Sequence, residues 1–336
     1  MTTSQRTVID AYLEALDPPD LCAARLVVTA SLDAGMTVAT AMQTILVPAQ
    51  EEVGRRWQTN QWSVAQEAAA TAVTDAVLAA LSLRSPSPTS SGLQIVTGCV
   101  EGEWHTMPLR MLNETLAGDG HDVVFLGPSL PLAQLGGILR EINPVDALVS
   151  CTNPINLPGA RRTILVAHAA GVPVLIGGRA LDEFGVRSRA LGADGWATNA
   201  REATTILGEW QRDRPDLAKP TRLSPEQAEL ELPRRGVIDD CLFELMQTRS
   251  RFIKMPVAEM ARTRAGITDI LRFCSAALVT SDPRVLDEST GWLRDFLAPR
   301  GVTSVTVATM YRAISTVLGH GFPETRAILA ASVALL

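Results

Sequence analysis

Cysteine is sparse and unpaired in this sequence. The five residues Cys22, Cys99, Cys151, Cys241 and Cys274 never stand in a CxxC spacing, so neither a disulfide framework nor a cysteine zinc site is indicated. The longest apolar runs, such as the one ending at Ile176, stop short of the roughly 18–20 residues that a membrane span needs, and no membrane partner is expected. The opening stretch MTTSQRTVIDAYLEAL lacks a basic start followed by an apolar core, so no secretory signal is expected and a cytoplasmic location is the default. No basic run or helix-turn-helix segment precedes the first helices and the net charge is −6, which argues against direct sequence-specific DNA binding. Histidine is also rare, at positions 105, 121, 168 and 320 alone.

What the sequence does contain is enough apolar material for several cores. Hydrophobic residues make up 46% and charged residues 20% of 336 positions, a length that suggests two or three domains of about 150 residues or fewer. Two stretches rich in Pro, Ser and Arg, Ser82 to Gly92 and Gln211 to Pro225, lose periodicity and read as linkers. They delimit an all-helical segment (1–84), an α/β segment (92–211) and an all-helical tail (225–336). The first segment repeats apolar residues at helical spacing in four blocks, which predicts a four-helix bundle. In the second, short runs rich in Val and Ile (Leu93 to Cys99, Val123 to Leu126, Ala147 to Val149, Val172 to Ile176, Gly195 to Ala197) alternate with helical patterns, which predicts a doubly wound parallel sheet. Ligands of such sheets bind beyond the carboxyl ends of the strands. The tail shows five helical patterns broken at Pro256, Asp282-Pro283, Pro299-Arg300-Gly301 and Phe322-Pro323, compatible with a globin-like or phycocyanin-like bundle.

Directly after the first strand, Glu103 and His105 stand two apart in a loop at the carboxyl edge. A carboxylate beside an imidazole can take the Nδ1 proton, leaving Nε2 as a more basic metal donor; an ordinary loop histidine is the alternative. Ser150-Cys151-Thr152 follows at the end of the third strand, Gly177-Gly178 at the end of the fourth and Gly127 after the second. In order and spacing these resemble the cobalamin-binding domains of methionine synthase and its relatives. The resemblance implies His105 as the lower cobalt ligand and Glu103 as its partner. It places Ser150 and Thr152 at the displaced nucleotide base, and Gly127, Gly177 and Gly178 along the slot for the nucleotide tail. Glu103 replaces the family's Asp, and Pro108 its Gly.

The helical segment is similar to the cap of light-sensing cobalamin repressors, with Trp57 and, ten residues on, Glu67 over the upper face of adenosylcobalamin; both tryptophans, Trp57 and Trp62, can equally be bundle core. The repressors carry His after the Trp where this chain has Gln58, and tend to Glu-His where it has Glu67-Ala68. The order cap, α/β domain, helical tail looks like the photocobilins, which implies a bilin such as biliverdin in the tail, its propionates paired with part of the cluster Arg249, Arg251, Lys254, Arg262, Arg264 and Arg272. Cys241 and Cys274 fit buried structural thiols. The expectation is therefore a non-enzymatic photoreceptor in which light cleaves the cobalt-carbon bond and changes the assembly of a homo-oligomer. A corrinoid carrier presenting methylcobalamin to methyltransferases is the alternative, and a helical adaptor without cofactor a third reading.

Overall fold

The computed structural model of the chain describes residues 3–82, 94–231, 235–248 and 256–336. The chain divides into two compact units, residues 1–93 with 107–125 and residues 94–106 with 126–336.

The first unit is a helical bundle. It comprises α1 (Thr3–Glu14), α2 (Leu21–Asp33), α3 (Val38–Ala41) running through a π turn at Met42–Leu46 into α4 (Val47–Gln58), and α5 (Val64–Ser82). Helix starts are written in side chains: Asp20 accepts from the Ala23 amide at 3.0 Å, and Ser63 and Gln66 bond each other's amides reciprocally at 3.0 and 3.2 Å, a capping box that fixes where α5 begins. Tyr12, Leu16, Val28, Met42, Leu46, Val53, Trp62 and Leu78 form the core, joined by Met111 of α6 (Met107–Gly118). Among the described residues α5 alone is long and apolar enough to cross a membrane by length and composition. Its Ala70, Thr74, Val77, Leu78 and Leu81 are buried.

The sheet has the strand order β2-β1-β3-β4-β5, with β1 (Gln94–Cys99), β2 (Asp122–Phe125), β3 (Asp146–Ser150), β4 (Val174–Gly177) and β5 (Gly195–Ala197). Pairing is parallel from β1 to β3, β3 to β4 and β4 to β5. This is the flavodoxin-like order, whose loops after β1 and β3 diverge at the carboxyl edge. The crossover helices of the second unit are α7 (Leu132–Ile142), α8 (Leu157–Ala169), α9 (Val186–Leu191) and α10 (Ala200–Trp210). The five expected strand runs each correspond to a strand, with ends differing by a residue or two.

The tail forms six described helices: α11 (Pro225–Leu230), α12 (Arg235–Thr248), α13 (Val257–Thr280), α14 (Arg284–Leu297), α15 (Ser304–Leu318) and α16 (Pro323–Val333). Pro256 and Pro283 stand immediately before α13 and α14, and Pro323 opens α16, where a missing N–H costs nothing. Their core includes Cys241, Leu245, Ile270, Cys274, Leu286, Tyr311, Ile314 and Leu329. Glu226 of α11 caps α16, accepting from the Glu324 and Thr325 amides at 2.7 and 2.8 Å.

The stretch from Gln211 to Pro225 is irregular, yet it is bonded to the α/β body. Buried Asp194 accepts from the Ala218 amide at 2.6 Å while also holding Val174 and His168, and Arg161 donates to the Thr221 carbonyl at 2.8 Å. The other expected linker lies outside the described residues apart from Ser82, as do Arg249, Arg251 and Lys254.

Candidate functional site

The loop after β1 is shaped by its glycine and by neighbours from two other loops. Gly102 has φ +85, and a Cβ there would lie 2.9 Å from Asn156 Oδ1, so both conformation and space call for glycine. The Gly102 amide donates to Ser129 Oγ at 3.1 Å, and the Ser129 amide donates to the Glu103 carbonyl at 2.8 Å. Held at both sides, the chain turns the Glu103 side chain inward, where it is 0% exposed.

Every lone-pair direction of that carboxylate is used. Oε1 accepts from the His105 amide at 3.0 Å and from the His105 ring at Nδ1, 2.5 Å away. Oε2 accepts from the Thr152 and Asn153 amides, each at 2.8 Å, and from Asn156 Nδ2 at 3.2 Å. Burial on its own would raise the Glu103 carboxyl. The hydrogen bonds from the His105 ring, the Asn153 amide and the His105 amide outweigh it and hold the group down at about 2. An ionised carboxylate has no proton to give, so Nδ1–H is the donor, and in the neutral ring the lone pair that could meet a metal is on Nε2. The His105 side chain is 61% exposed. The arrangement is a single imidazole presented outward by a buried anion. Among the described residues no group of three or more His, Cys, Asp or Glu is gathered as a metal cage.

Beside this loop, towards the carboxyl ends of the strands, one face of the sheet carries several small residues. The register pairs Cys99 with Ser150 and Ser150 with Gly177, and Thr97 with Leu148, so Thr97, Cys99, Ser150 and Gly177 share a face. Thr97 Oγ1 is buried there without a hydrogen-bond partner, a state that costs free energy until something fills it. Gly178, at φ +116, lies so close to β3 that a Cβ would stand 2.2 Å from the Cys151 carbonyl oxygen. Gly127, at φ +92, adjoins open space.

Of the residues singled out in the sequence, Glu103, His105, Gly127, Ser150, Thr152, Gly177 and Gly178 belong to the second unit, and Trp57 and Glu67 to the first. Thr152 contributes through its backbone amide. Trp57, on the last turn of α4, is half-buried, whereas Trp62 is 5% exposed and packs under Arg56; the core role belongs to Trp62. Glu67 ends a polar chain through the bundle, in which Thr71 bonds both Glu67 and Gln50, and Gln50 and Tyr12 both bond Thr74. Sequence reasoning missed Asn153, Asn156, Ser129 and Thr97. The Asn-Pro-Ile-Asn run was a usable signal, since Asn153 Oδ1 accepts from the Ile155 amide, an Asx turn that fixes the loop.

Residues 93–205 match the B12 binding domain, and residues 7–82 match a second B12 binding domain family. Dimethylamine corrinoid protein 3 of Methanosarcina mazei is 31% identical over 146 residues, which span 42% of this chain and 86% of that protein. The chain belongs to the B12-binding corrinoid protein family. The monomethylamine corrinoid protein of Methanosarcina barkeri, at 16% identity and a TM-score of 0.53, covers 61% of this chain and 99% of its own; that likeness shows the shared fold of a corrinoid protein. Cobalamin is thus the cofactor class of this chain.

The same relatives correct the expectation of a photoreceptor. They are corrinoid proteins named for methylated amines, and nothing among them points to adenosylcobalamin photochemistry, biliverdin or light-dependent assembly. Of the cluster expected to hold a bilin, Arg264 and Arg272 are described with their partners. Arg264 pairs with Asp239 at 2.5 Å. Arg272, 4.0 Å from Asp269, lines a cleft of about 270 Å³ with Glu101, Arg162 and Glu231, where Arg162 already pairs with both glutamates at 2.6 and 3.0 Å.

Proposed function

We propose that this chain is a corrinoid carrier, a binding protein and not itself an enzyme, that holds methylcobalamin for a partner methyltransferase. The observation that carries the reading is the fully bonded, buried Glu103 carboxylate beneath an exposed His105. Bound cobalamin would supply a cobalt centre able to accept and release a methyl group.

The residues fit such a group. His105 would hold cobalt through Nε2, and Glu103 would keep the ring in the Nδ1–H form and raise the basicity of the donor. Because Glu103 is anchored to the Thr152 and Asn153 amides, the imidazole is aimed before any ligand arrives, which reduces the ordering cost of binding. Ser150, the orphaned Thr97 hydroxyl and Gly177 line one sheet face; there two hydroxyls could satisfy a polar nucleotide base, and Gly127 and Gly178 keep bulk away from its tail.

Titration of the protein with methylcobalamin and hydroxocobalamin, followed by absorption and by electron paramagnetic resonance of the reduced cobalt(II) form, tests the reading. Wild type should bind in the base-off form with hyperfine coupling to one imidazole nitrogen. His105→Ala should lose that coupling and bind more weakly while keeping its circular dichroism. A histidine-ligated spectrum in His105→Ala would overturn the assignment.

A further inference from the structure

Among the described residues Arg187 is the largest fully buried side chain, 1% exposed. Burial of a guanidinium is tolerated only where its donors are matched, and here they are matched in three directions. Nε donates to Asp282 at 2.9 Å, Nη2 to Glu288 at 2.7 Å and Nη1 to the Ala180 carbonyl at 3.0 Å. Asp282 and Glu288 belong to the C-terminal helical tail, whereas Ala180 ends the Gly177-Gly178-Arg179-Ala180 turn beside the candidate site.

From Ala180 the bonding continues to the imidazole. The Ala180 amide donates to the Cys151 carbonyl at 3.2 Å, and the Cys151 amide to the Gly177 carbonyl at 2.9 Å. Next in the chain, the Thr152 amide donates to Glu103 Oε2 at 2.8 Å, and Glu103 Oε1 accepts from His105 Nδ1 at 2.5 Å. Asp282, Arg187, Ala180, Cys151 with Thr152, Glu103 and His105 therefore form one series of bonds whose members, the half-buried Thr152 apart, are buried up to the imidazole itself. The tail that begins this series lies beyond both B12-binding domain matches, which end at residues 205 and 82.

We propose that Arg187 is a positioning residue for the cobalt ligand, and that the C-terminal helices, through Asp282 and Glu288, set how firmly His105 is presented. The proposal rests on the carrier reading with His105 as lower ligand. Removing a partner of Arg187 frees the Ala180 turn, loosens the Cys151–Thr152 loop against which Glu103 is braced, and so weakens the imidazole as a donor. The tail is on this account a working part of the cofactor site, and a chain cut near Leu223 would bind cobalamin with altered histidine ligation.

The test uses full-length holoprotein loaded with hydroxocobalamin and reads the pH midpoint at which His105 leaves cobalt, by absorption. Outer-shell substitutions at metal sites weaken affinity by about 10–100-fold, and a more remote one should weaken histidine ligation by about 3–10-fold, which raises the midpoint by about 0.5–1 pH unit. Asp282→Asn and Arg187→Lys should both show this shift with unchanged circular dichroism. Glu288→Gln, altering a carboxylate that is 57% exposed and leaving the fold undisturbed, should give a smaller shift in the same direction. Leu329→Ala, a cavity in the helical core of the tail, should lower the melting temperature without moving the midpoint. Midpoints equal to wild type in Asp282→Asn and Arg187→Lys would overturn the proposal, as would an equal shift in Leu329→Ala. Absence of histidine ligation in wild type would instead defeat the carrier reading on which it rests.

Discussion

Asn156 Nδ2 donates to Glu103 Oε2 at 3.2 Å, while the Oδ1 of the same amide closes over Gly102. One side chain from the start of α8 thus supports the loop after β1 at two points. The result is a carboxylate that meets only donors: three at Oε2 and two at Oε1. Glu103→Gln is therefore far from conservative, because an amide NH2 on either side faces N–H groups. The substitution should cost about 1–3 kcal/mol, visible as a lower melting temperature at pH 7, and should diminish histidine ligation by removing the acceptor that selects the Nδ1–H tautomer.

Acid should undo the same site. The Glu103 carboxyl lies near 2 in the folded chain against an ordinary value of 4.5. An acid with a depressed folded value stabilises the fold above its unfolded value, and the contribution fades as pH falls from about 4.5 towards 2. Urea denaturation at pH 7, 4 and 3 should show wild type losing more stability over this window than Glu103→Gln.

Asp146 behaves in the opposite sense. Burial at the start of β3 pushes its carboxyl up to about 6, against a smaller lowering by Arg214. A raised acid stabilises the fold below its unfolded value of 3.8, and that contribution is lost as pH climbs through about 6. Asp146→Asn should then raise stability by about 1–3 kcal/mol at pH 8 and by little at pH 3.5. Thermal melts at the two pH values decide it; a loss at pH 8 would mean that the ionised carboxylate has a role in the fold.

The outline of the fold was legible in the sequence because periodicity carries it. Val and Ile runs of strand length alternating with helical patterns give a parallel sheet, and prolines at 256, 283 and 323 mark helix starts. Glu103 and His105 were legible because they are two apart in one loop. Asn156 and Arg187 were not, since their partners lie 53, 95 and 101 positions away and only the folded chain brings them near. The photoreceptor expectation came from whole-chain order and from Trp57 and Glu67, features that a helical bundle tolerates for several functions. Arginine density in the tail likewise failed to distinguish a ligand surface from ion pairs such as Arg264 with Asp239.

Gly178→Ala should be damaging out of proportion to one methyl group. The residue has φ +116 and the new Cβ would meet the Cys151 carbonyl at 2.2 Å, so the turn or β3 must shift. A cost of about 2–5 kcal/mol is expected, with weakened cobalamin binding in whatever protein remains folded. Gly127→Ala shares the positive φ, +92, but meets nothing within 4 Å, and should cost less than half as much in the same melting experiment.

Thiol labelling checks the cores independently. Cys22 is exposed, while Cys99, Cys151, Cys241 and Cys274 are buried, and burial pushes the Cys99, Cys241 and Cys274 thiols up to about 12. N-ethylmaleimide at pH 7.5 should modify one thiol in the native protein and all five in urea, counted by mass spectrometry. Rapid native labelling at Cys241 or Cys274 would contradict the packing of the C-terminal helices.

Asp194 grips three separate pieces of chain: the first residue of β4, His168 of α8 and Ala218 in the irregular stretch before α11. A composition profile suggests a convenient place to divide the protein among those prolines and arginines, but chemically it is the inside of a joint. Most of that stretch is exposed, but its backbone is held to the α/β body at Ala218 and Thr221, and a gene fragment ended before Ala218 would leave a buried carboxylate stripped of one of its three donors. Whoever trims this protein to the length of its corrinoid relatives will be cutting a hinge pin, not a tether.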